Sequence, residues 1–163
     1  MRKKIYSLEE LVNIRKQYAR KNKIIVFANG CFDILHCGHV DYLKGAREMG
    51  DALIVAVNSD QSVRQYKGDD RPVIPQEERL EILEAIRYVD YLLLFDDPDV
   101  NHLLSVLQPD IHAKGTDYTP ETVPERDTVL AYGGKVAIAG SPRINSTTNV
   151  INKIIENYSA SQD

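Results

Sequence analysis

Residues 24–57 read IIVFANGCFDILHCGHVDYLKGAREMGDALIVAV. Two short runs of β-branched and other apolar residues, Ile24–Ala28 and Ala52–Val57, enclose a segment long enough for a turn and a helix. Continuous apolar runs of this length are typical of strands that are buried on both faces. Because parallel strands need a crossover of a dozen or more residues, usually a helix, the stretch predicts a strand–helix–strand unit with parallel strands.

The same alternation continues on both sides of this unit. Further apolar runs predict strands at Tyr91–Phe95, Ile111–Lys114 and Lys135–Ala139. Apolar periodicity and helix start signals, such as the Ser-x-x-Glu box at residues 7–10, predict the helices. They lie at residues 7–20, 76–87, 98–107, 121–132 and 147–158, with a helix ending near Gly50 and a helical turn at 61–66. Right-handed crossovers then give a doubly wound α/β fold, with a five-stranded parallel sheet in three αβα layers, similar to Rossmann folds.

The chain length of 163 residues fits one domain. We predict a lead-in with one helix at residues 1–23, a core at 24–158 and a flexible tail at 159–163. Ligands of such sheets bind beyond the carboxyl ends of the strands, at the point where the strand order reverses. The segments that follow the strands are therefore the places to look for chemistry.

Composition excludes several classes of protein. The two cysteines are too few for a disulfide scaffold. No apolar stretch approaches the ~20 residues of a membrane helix, and the N-terminus lacks the apolar core of a signal peptide. We therefore expect a cytoplasmic protein without a membrane partner.

Net charge gives a further expectation about partners. A net charge of −4 argues against non-specific nucleic-acid binding, which needs clustered cations. Residues 1–23 are nevertheless basic, with eight Lys and Arg against two Glu. That helix is either a solvated surface helix or a contact for RNA or another anionic partner, and the solvated helix is the simpler interpretation.

The loop after the first strand contains His36-Cys37-Gly38-His39. It matches neither the P-loop nor the Gly-x-Gly-x-x-Gly pattern. Two imidazoles three residues apart at a helix start lie beside unpaired backbone N–H groups, which suits an anion such as a phosphate. Two other interpretations stay open: a zinc site that uses Cys31, His36, Cys37 and His39, and ordinary structural histidines.

Cationic side chains follow the second strand. Lys67 and Arg71 lie in a polar loop, and Arg79 lies in the first turn of the next helix. A cation is unfavourable at a helix N-terminus, so we expect Arg79 to face an anion or a carboxylate. The alternatives are a solvated lysine at position 67 and an exposed ion pair between Arg79 and Glu77 or Glu78.

The loops near the end of the chain are also polar. Lys114-Gly115-Thr116-Asp117 follows the fourth strand, where Gly115 would let the backbone approach a planar base and Asp117 could accept from an amino or hydroxyl group. The alternative is an ordinary Gly–Asp turn. Ser146-Thr147-Thr148 precedes the last helix, where it can cap the helix, bind phosphate, or do both.

Together these motifs resemble the nucleotidyltransferase superfamily that includes the cytidylyltransferases and the heptose-phosphate adenylyltransferases. Gly-x-Phe-Asp and His-x-Gly-His are followed in order by Val57-Asn-Ser-Asp60, Lys67-Gly68, Arg71-Pro72, Arg79, Val89-Asp90, Lys114-Gly-Thr-Asp-Tyr118, Gly133-Gly134 and Ser146-Thr-Thr-Asn149. They are most similar to the adenylyltransferase half of bacterial ADP-heptose synthases, over essentially the whole chain.

The resemblance implies roles for individual residues. Catalytic roles fall to His36, His39, Lys67 and Arg79, and substrate-binding roles to Asp33 and Arg71. The nucleotide-binding set comprises Asn29, Gly30, Cys31, Phe32, Gly38, Lys114, Gly115, Asp117, Arg143, Ser146, Thr147 and Thr148. No residue is assigned to a metal; Mg²⁺ is expected to bind through the phosphates of ATP, which is a substrate.

The implied reaction transfers AMP from ATP to D-glycero-β-D-manno-heptose 1-phosphate. The resemblance also implies a homodimer and a separate sugar kinase upstream, in the synthesis of a surface glycan such as lipopolysaccharide. Two alternatives stay open: a CTP-dependent cytidylyltransferase acting on glycerol 3-phosphate or another phospho-alcohol, and a nucleotide-binding module without catalysis. An aminoacyl-tRNA synthetase is excluded, because 163 residues leave no room for its tRNA-binding parts.

Overall fold

The computed structural model describes residues 3–142 and 146–159. Its elements alternate along the chain. In order they are α1 (Leu8–Arg20), β1 (Ile25–Gly30), α2 (Cys37–Arg47), β2 (Ala52–Asn58), α3 (Asp60–Lys67), α4 (Gln76–Ala85), β3 (Tyr91–Phe95), α5 (Asn101–Leu107), β4 (Ile111–Lys114), α6 (Arg126–Ala131), β5 (Lys135–Ile138) and α7 (Thr147–Ser159). The capping box predicted for α1 is present, since Glu10 N–H donates to Ser7 Oγ (3.2 Å) and Ser7 N–H to Glu10 Oε2 (2.7 Å).

The strands form a parallel sheet in the order β3-β2-β1-β4-β5. The chain moves outward from β1 through β2 to β3 and then returns to the other side of β1. The strand order therefore reverses between β1 and β4, and their carboxyl ends mark the expected ligand site. The predicted doubly wound α/β fold is confirmed.

Alternate residues of the strands supply two separate hydrophobic cores. Ile25 and Phe27 of β1 face the core that α1, α5 and α6 cover. Val26 and Ala28 face the opposite core, which α2 and α4 cover. This period of two places one helical layer on each face of the sheet, as the continuous apolar runs predict.

Several helix boundaries differ from prediction. The turn expected at 61–66 is a full helix, α3, capped by Ser59 Oγ, which accepts from Ser62 N–H (3.2 Å). Helix α6 begins at Arg126 rather than residue 121, because a proline at 124 disfavours helix in the residue before it. Helix α5 begins at Asn101, not at residue 98, and α4 ends at Ala85.

No helix within residues 3–142 or 146–159 is both long and apolar enough to cross a membrane.

Candidate active site

A cavity of about 280 Å³ opens at the carboxyl ends of β4 and β5, beside the start of α2. We call it the histidine cavity. Many of the side chains singled out from sequence line it. Its lining residues are His36, Gly38, His39, Asp41, Tyr42, Lys67, Arg71, Gly115, Thr116, Asp117, Ala139, Gly140, Ser141, Ser146, Thr147 and Thr148.

The two histidines are held by the backbone at the start of α2. Gly38 N–H donates to His36 Nδ1 (3.1 Å), and His36 N–H donates to His39 Nδ1 (3.4 Å). The rings stack with their centroids 3.9 Å apart and their planes inclined by 30°. Since Nδ1 of each ring accepts a hydrogen bond, the proton of the neutral imidazole lies on Nε2. Both histidines are therefore hydrogen-bond donors through Nε2.

His39 is neutral at physiological pH. Burial, the adjacent His36 and the charge of Lys67 lower its pKa to about 4. The ring also packs on Phe32, with centroids 5.4 Å apart. Phe32, which the resemblance places in the nucleotide-binding set, is almost fully buried and packs against the ring of His39.

Helix α2 is pinned against the loop after β5. Ser141 N–H donates to Asp41 Oδ2 (2.6 Å). The backbones approach so closely that a Cβ atom on Gly45 would lie 2.7 Å from Gly140 N. Gly140 itself has φ +86°, which favours glycine. The absence of a side chain at both positions thus fixes the distance between the histidines and the opposite wall of the cavity.

A second cavity of about 560 Å³ adjoins the first. We call it the amide cavity, after the asparagines in its wall. It shares Tyr42, Lys67, Gly115 and Asp117 with the histidine cavity. Its remaining lining residues are Asn29, Gly30, Cys31, Asn58, Tyr66, Phe95, Pro98, Asp99, Val100, Asn101, Lys114, Tyr118, Pro124 and Glu125. Lys67, at the end of α3, therefore lies where the two cavities meet.

Asp33 holds a loop rather than facing a cavity. Its carboxylate accepts from Val73 N–H and Ile74 N–H (both 2.9 Å) and from Arg71 Nε (2.5 Å). Burial alone would raise the pKa of Asp33, but these hydrogen bonds lower it below its usual value. Arg71 lines the histidine cavity, and its Nη2 is buried with no hydrogen-bond partner. That nitrogen is a buried donor that an anion in the cavity could satisfy.

Arg79 is fully buried and lines neither cavity. Its guanidinium donates to Ile74 O (3.0 Å), to Asp60 Oδ1 (2.8 Å) and to Cys31 O. The carboxylate that it meets belongs to α3, not to Glu77 or Glu78. Arg79 thus lies outside both cavities. Its hydrogen bonds join the loop after β1 to the start of α3 and to the loop before α4.

The start of α7 combines a cap and a cavity wall. Asn149 N–H donates to Ser146 Oγ (3.1 Å), and Thr147 Oγ1 donates to Ile34 O (3.4 Å). Ser146, Thr147 and Thr148 all line the histidine cavity. Arg143, also predicted to bind nucleotide, lies outside the described residues.

Several lining residues were not predicted from sequence. Asp41 and Tyr42 lie three and four residues after Gly38 on α2, where helical periodicity could have found them. Asn58 was available as a polar residue at the end of a strand. Glu125 gave no usable signal, because the region 121–132 read as one continuous helix.

Metal ligands are sparse in this region. Among residues 3–142 and 146–159, no three His, Cys, Asp or Glu side chains are grouped closely enough to hold a metal ion. The Cys31 thiol, whose pKa burial raises, lies in the amide cavity, and Cys37 is exposed.

Comparison with known proteins gives consistent results. The cytidylyltransferase-like family model matches residues 27–161. The bifunctional protein HldE of Syntrophotalea carbinolica is 46% identical over 155 residues, which is 95% of this chain and 32% of that protein. HldE of Campylobacter fetus is 44% identical over 152 residues, 93% of this chain and 31% of that protein. The chain thus spans about a third of the length of the curated relatives that it matches.

Two solved structures have folds similar to that of this chain. The lipopolysaccharide core biosynthesis protein of Thermoplasma volcanium has a TM-score of 0.64 and 28% identity, over 74% of this chain and 99% of its own. Pantoate-beta-alanine ligase of Francisella tularensis, with a TM-score of 0.62 and 17% identity, covers 95% of this chain and 78% of its own, and shows the fold alone. The resemblance predicted from the motifs is confirmed: the chain belongs to the cytidylyltransferase-like family of nucleotidyltransferases.

Proposed function

We propose that this chain transfers AMP from ATP to D-glycero-β-D-manno-heptose 1-phosphate, giving ADP-heptose and pyrophosphate. The observation that carries the proposal is the pair of adjoining cavities that meet at Lys67, one of them walled by the His-x-Gly-His turn. A transferase that joins two substrates needs two such spaces with a shared boundary. The choice of sugar rests on the motif resemblance and on the similarity to HldE.

In the proposed reaction an oxygen of the sugar phosphate attacks the α-phosphorus of ATP. The new O–P bond forms as the bond from the α-phosphorus to the bridging oxygen breaks, and pyrophosphate leaves with the electron pair. The attacking oxygen is already ionised at neutral pH, so no general base is needed. Catalysis then consists of in-line positioning and of donors fixed at the phosphate oxygens.

The side chains divide these tasks by position. The Nε2–H groups of His36 and His39 stabilise charge that grows on the phosphate oxygens of ATP. Lys67 contacts the phosphate that lies where the two cavities meet. Arg71 donates a hydrogen bond from its unpartnered Nη2 to the triphosphate. The hydroxyls and N–H groups at the start of α7 hold the leaving pyrophosphate. Arg79 positions the β1 loop through Cys31.

Mg²⁺ accompanies ATP in this proposal and neutralises phosphate charge. Among the described residues near the cavities, no three His, Cys, Asp or Glu side chains are grouped closely enough to hold a metal ion. The donor set therefore fits a cation that takes its ligands mainly from phosphate and water, as Mg²⁺ commonly does.

The reaction needs a sugar whose anomeric carbon already carries phosphate, so we propose that a separate sugar kinase acts before it. We also propose a homodimer, which sedimentation analysis tests directly.

Pyrophosphate release tests the proposed function. ATP and CTP are each combined with heptose 1-phosphate and with glycerol 3-phosphate, in the presence of Mg²⁺. Release with ATP and heptose 1-phosphate alone is the expected result. Release with CTP and glycerol 3-phosphate would instead assign the protein to the cytidylyltransferases. Absence of release with every pair would refute this acceptor and favour a nucleotide-binding role.

A further inference from the structure

A buried charged cluster forms one wall of the amide cavity. Glu125, just before α6, lies with its Oε2 3.4 Å from His112 Nε2 and 3.4 Å from Lys114 Nζ. Lys114 Nζ also lies 3.4 Å from Asn29 Oδ1. Lys114 Nζ also lies 3.5 Å from Glu125 Oε1. The contacts of the carboxylate are thus all near the upper distance limit for a hydrogen bond, and none of them is strong. The cluster is pre-assembled, yet it keeps acceptor capacity for a ligand.

The Glu125 carboxylate is ionised. Burial alone would raise its pKa, but the hydrogen bond from His112 and the charge of Lys114 lower it to about 2. His112 is fully buried, and burial lowers its pKa, so this ring is a neutral donor. An ionised carboxylate offers about four lone-pair sites. The contacts to His112 and Lys114 leave sites that can accept from hydroxyl groups in the cavity.

The rest of this wall has the chemistry of a site for hydroxyl groups. The residues that line only the amide cavity include amides, carboxylates and aromatic rings: Asn29, Asn58, Asp99, Asn101, Glu125, Tyr66, Phe95 and Tyr118. Amides and carboxylates hydrogen-bond hydroxyls, and the rings supply apolar surface. Lys114 is the cation of this set, and Glu125 neutralises it. An anionic group therefore fits at Lys67, and the uncharged part of a ligand fits beyond it.

We infer that Glu125 is a specificity-determining residue that accepts hydrogen bonds from the hydroxyl groups of the acceptor's sugar, with His112 and Lys114 as its positioning residues. This inference rests on the proposed function, because it assigns the amide cavity to the acceptor and the histidine cavity to ATP. Asn29, Gly30, Cys31 and Lys114, expected from the resemblance to bind nucleotide, line only the amide cavity and would therefore face the acceptor. The phosphate of the acceptor then lies at Lys67, next to the α-phosphate.

The test measures binding of heptose 1-phosphate by calorimetry, with and without α,β-methylene-ATP. Glu125→Gln keeps the shape and removes the charge. We expect it to weaken sugar-phosphate binding about tenfold or more, because hydrogen bonds to charged groups are the strong ones. Binding of the ATP analogue should be unchanged. The matched control is Glu121→Gln, an exposed glutamate four residues earlier that lines neither cavity.

Two calorimetric results with Glu125→Gln overturn the inference. One is sugar-phosphate binding by Glu125→Gln that equals that of the control, and the other is an equal loss of ATP-analogue binding, which indicates a structural role. If thermal melting shows that Glu125→Gln is unfolded, Tyr66→Ala tests instead whether the amide cavity binds the sugar phosphate. The Tyr66 ring is 70% exposed, so its removal leaves the core intact. We expect Tyr66→Ala to weaken sugar-phosphate binding about fivefold; unchanged binding there also overturns the assignment.

The two proposals fail separately. Wild-type protein that binds heptose 1-phosphate through Glu125 but releases no pyrophosphate would refute the proposed reaction and retain the sugar site. Pyrophosphate release that is insensitive to Glu125→Gln, in both turnover and the KM for heptose 1-phosphate, would retain the reaction and refute the site.

Discussion

The fixed protonation of the two stacked imidazoles is what suits them to phosphate chemistry. With Nδ1 engaged by the backbone, each ring presents Nε2–H without a change of tautomer during the reaction. A donor placed beforehand contributes more to a transition state than one that must reorganise. Lys67 and Arg71 then supply the positive charge that the neutral rings lack.

His39→Ala tests this role. We expect the variant to lose about 10²–10³ in kcat for pyrophosphate release, as removal of one such donor typically does. The matched control is His102→Ala, an exposed histidine on α5 that lines neither cavity. A loss of less than about tenfold would contradict a transition-state role for His39.

His39 also makes stability depend on pH. In the unfolded chain a histidine titrates near 6.5, whereas the folded protein lowers the pKa of His39 to about 4. As the pH falls from about 6.5 towards 4, the unfolded state binds a proton that the folded state does not. The free energy of unfolding therefore decreases across this range and is retained above it.

Urea unfolding of the ligand-free protein at about pH 7.5 and about pH 5 measures the effect. His39→Gln should lose less stability between the two values than wild type or His102→Gln. Burial also lowers the pKa of His112, but His112 is present in every variant. The difference in stability loss between the variants therefore reports on His39 alone. Equal losses in all three proteins would be inconsistent with a depressed pKa at His39.

The close approach of α2 to the loop after β5 sets the width of the histidine cavity. Gly45→Ala would place a Cβ atom 2.7 Å from a backbone nitrogen, so the helix must move. We expect a loss of about 1–3 kcal/mol in the free energy of unfolding, as for other overpacked contacts, together with weaker ATP binding. Urea unfolding and ATP titration measure both, with Lys44→Ala on the exposed face of α2 as control. Wild-type values in both assays would show that this contact does not position α2.

Arg79 joins three segments through one buried guanidinium. Arg79→Met leaves Cys31 O, Ile74 O and Asp60 without this donor. Removal of one partner from a buried charge pair typically costs about 3–5 kcal/mol, and Asp60 is partly exposed, so the lower end applies. Thermal melting of Arg79→Met against Arg64→Met, an exposed arginine of α3, measures the loss. A melting temperature equal to that of the Arg64 variant would contradict a structural role for Arg79.

Much of the architecture could be predicted from the pattern of residues. The strands appear as short apolar runs. Most residues of β1 to β4 are buried on both faces of the sheet, whereas β5, at the edge, is only half-buried. The requirement for apolar residues is local and therefore visible in the sequence. Helix α3 was underestimated, since its composition is polar and its helicity depends on the Ser59 cap. The region 121–132 was overestimated, because apolar spacing does not show that residues 119–125 form turns around two prolines.

The candidate site divides in the same way. The His-x-Gly-His turn and the start of α7, which line the histidine cavity, could be proposed from the sequence because their chemistry is contained in consecutive residues. The burial of Arg79 and the loop-holding role of Asp33 could not be found, since both depend on partners distant in the chain. Glu125 depends on His112 and Lys114 across the sheet edge, which no local pattern indicates.

ATP binding should stabilise the entire fold, because segments on both sides of β1 build the cavities. At about 100 times its Kd, ATP should add about 2.7 kcal/mol to the free energy of unfolding. Thermal melting with and without ATP and Mg²⁺ measures this as an increase in Tm. An unchanged Tm at saturating ATP would indicate that the cavities do not hold a nucleotide.

The central position of β1 has a consequence for folding kinetics. Ile25 bonds to Asp110, 85 residues away, and Asp41 to Ser141, 100 residues away. We expect contacts that close such long loops to form late, after β1, β2 and β3 have paired. The cavities would then be completed near the end of folding, and ATP would bind only after that. We expect ATP to slow unfolding and to leave the folding rate unchanged, because it stabilises contacts that the transition state lacks.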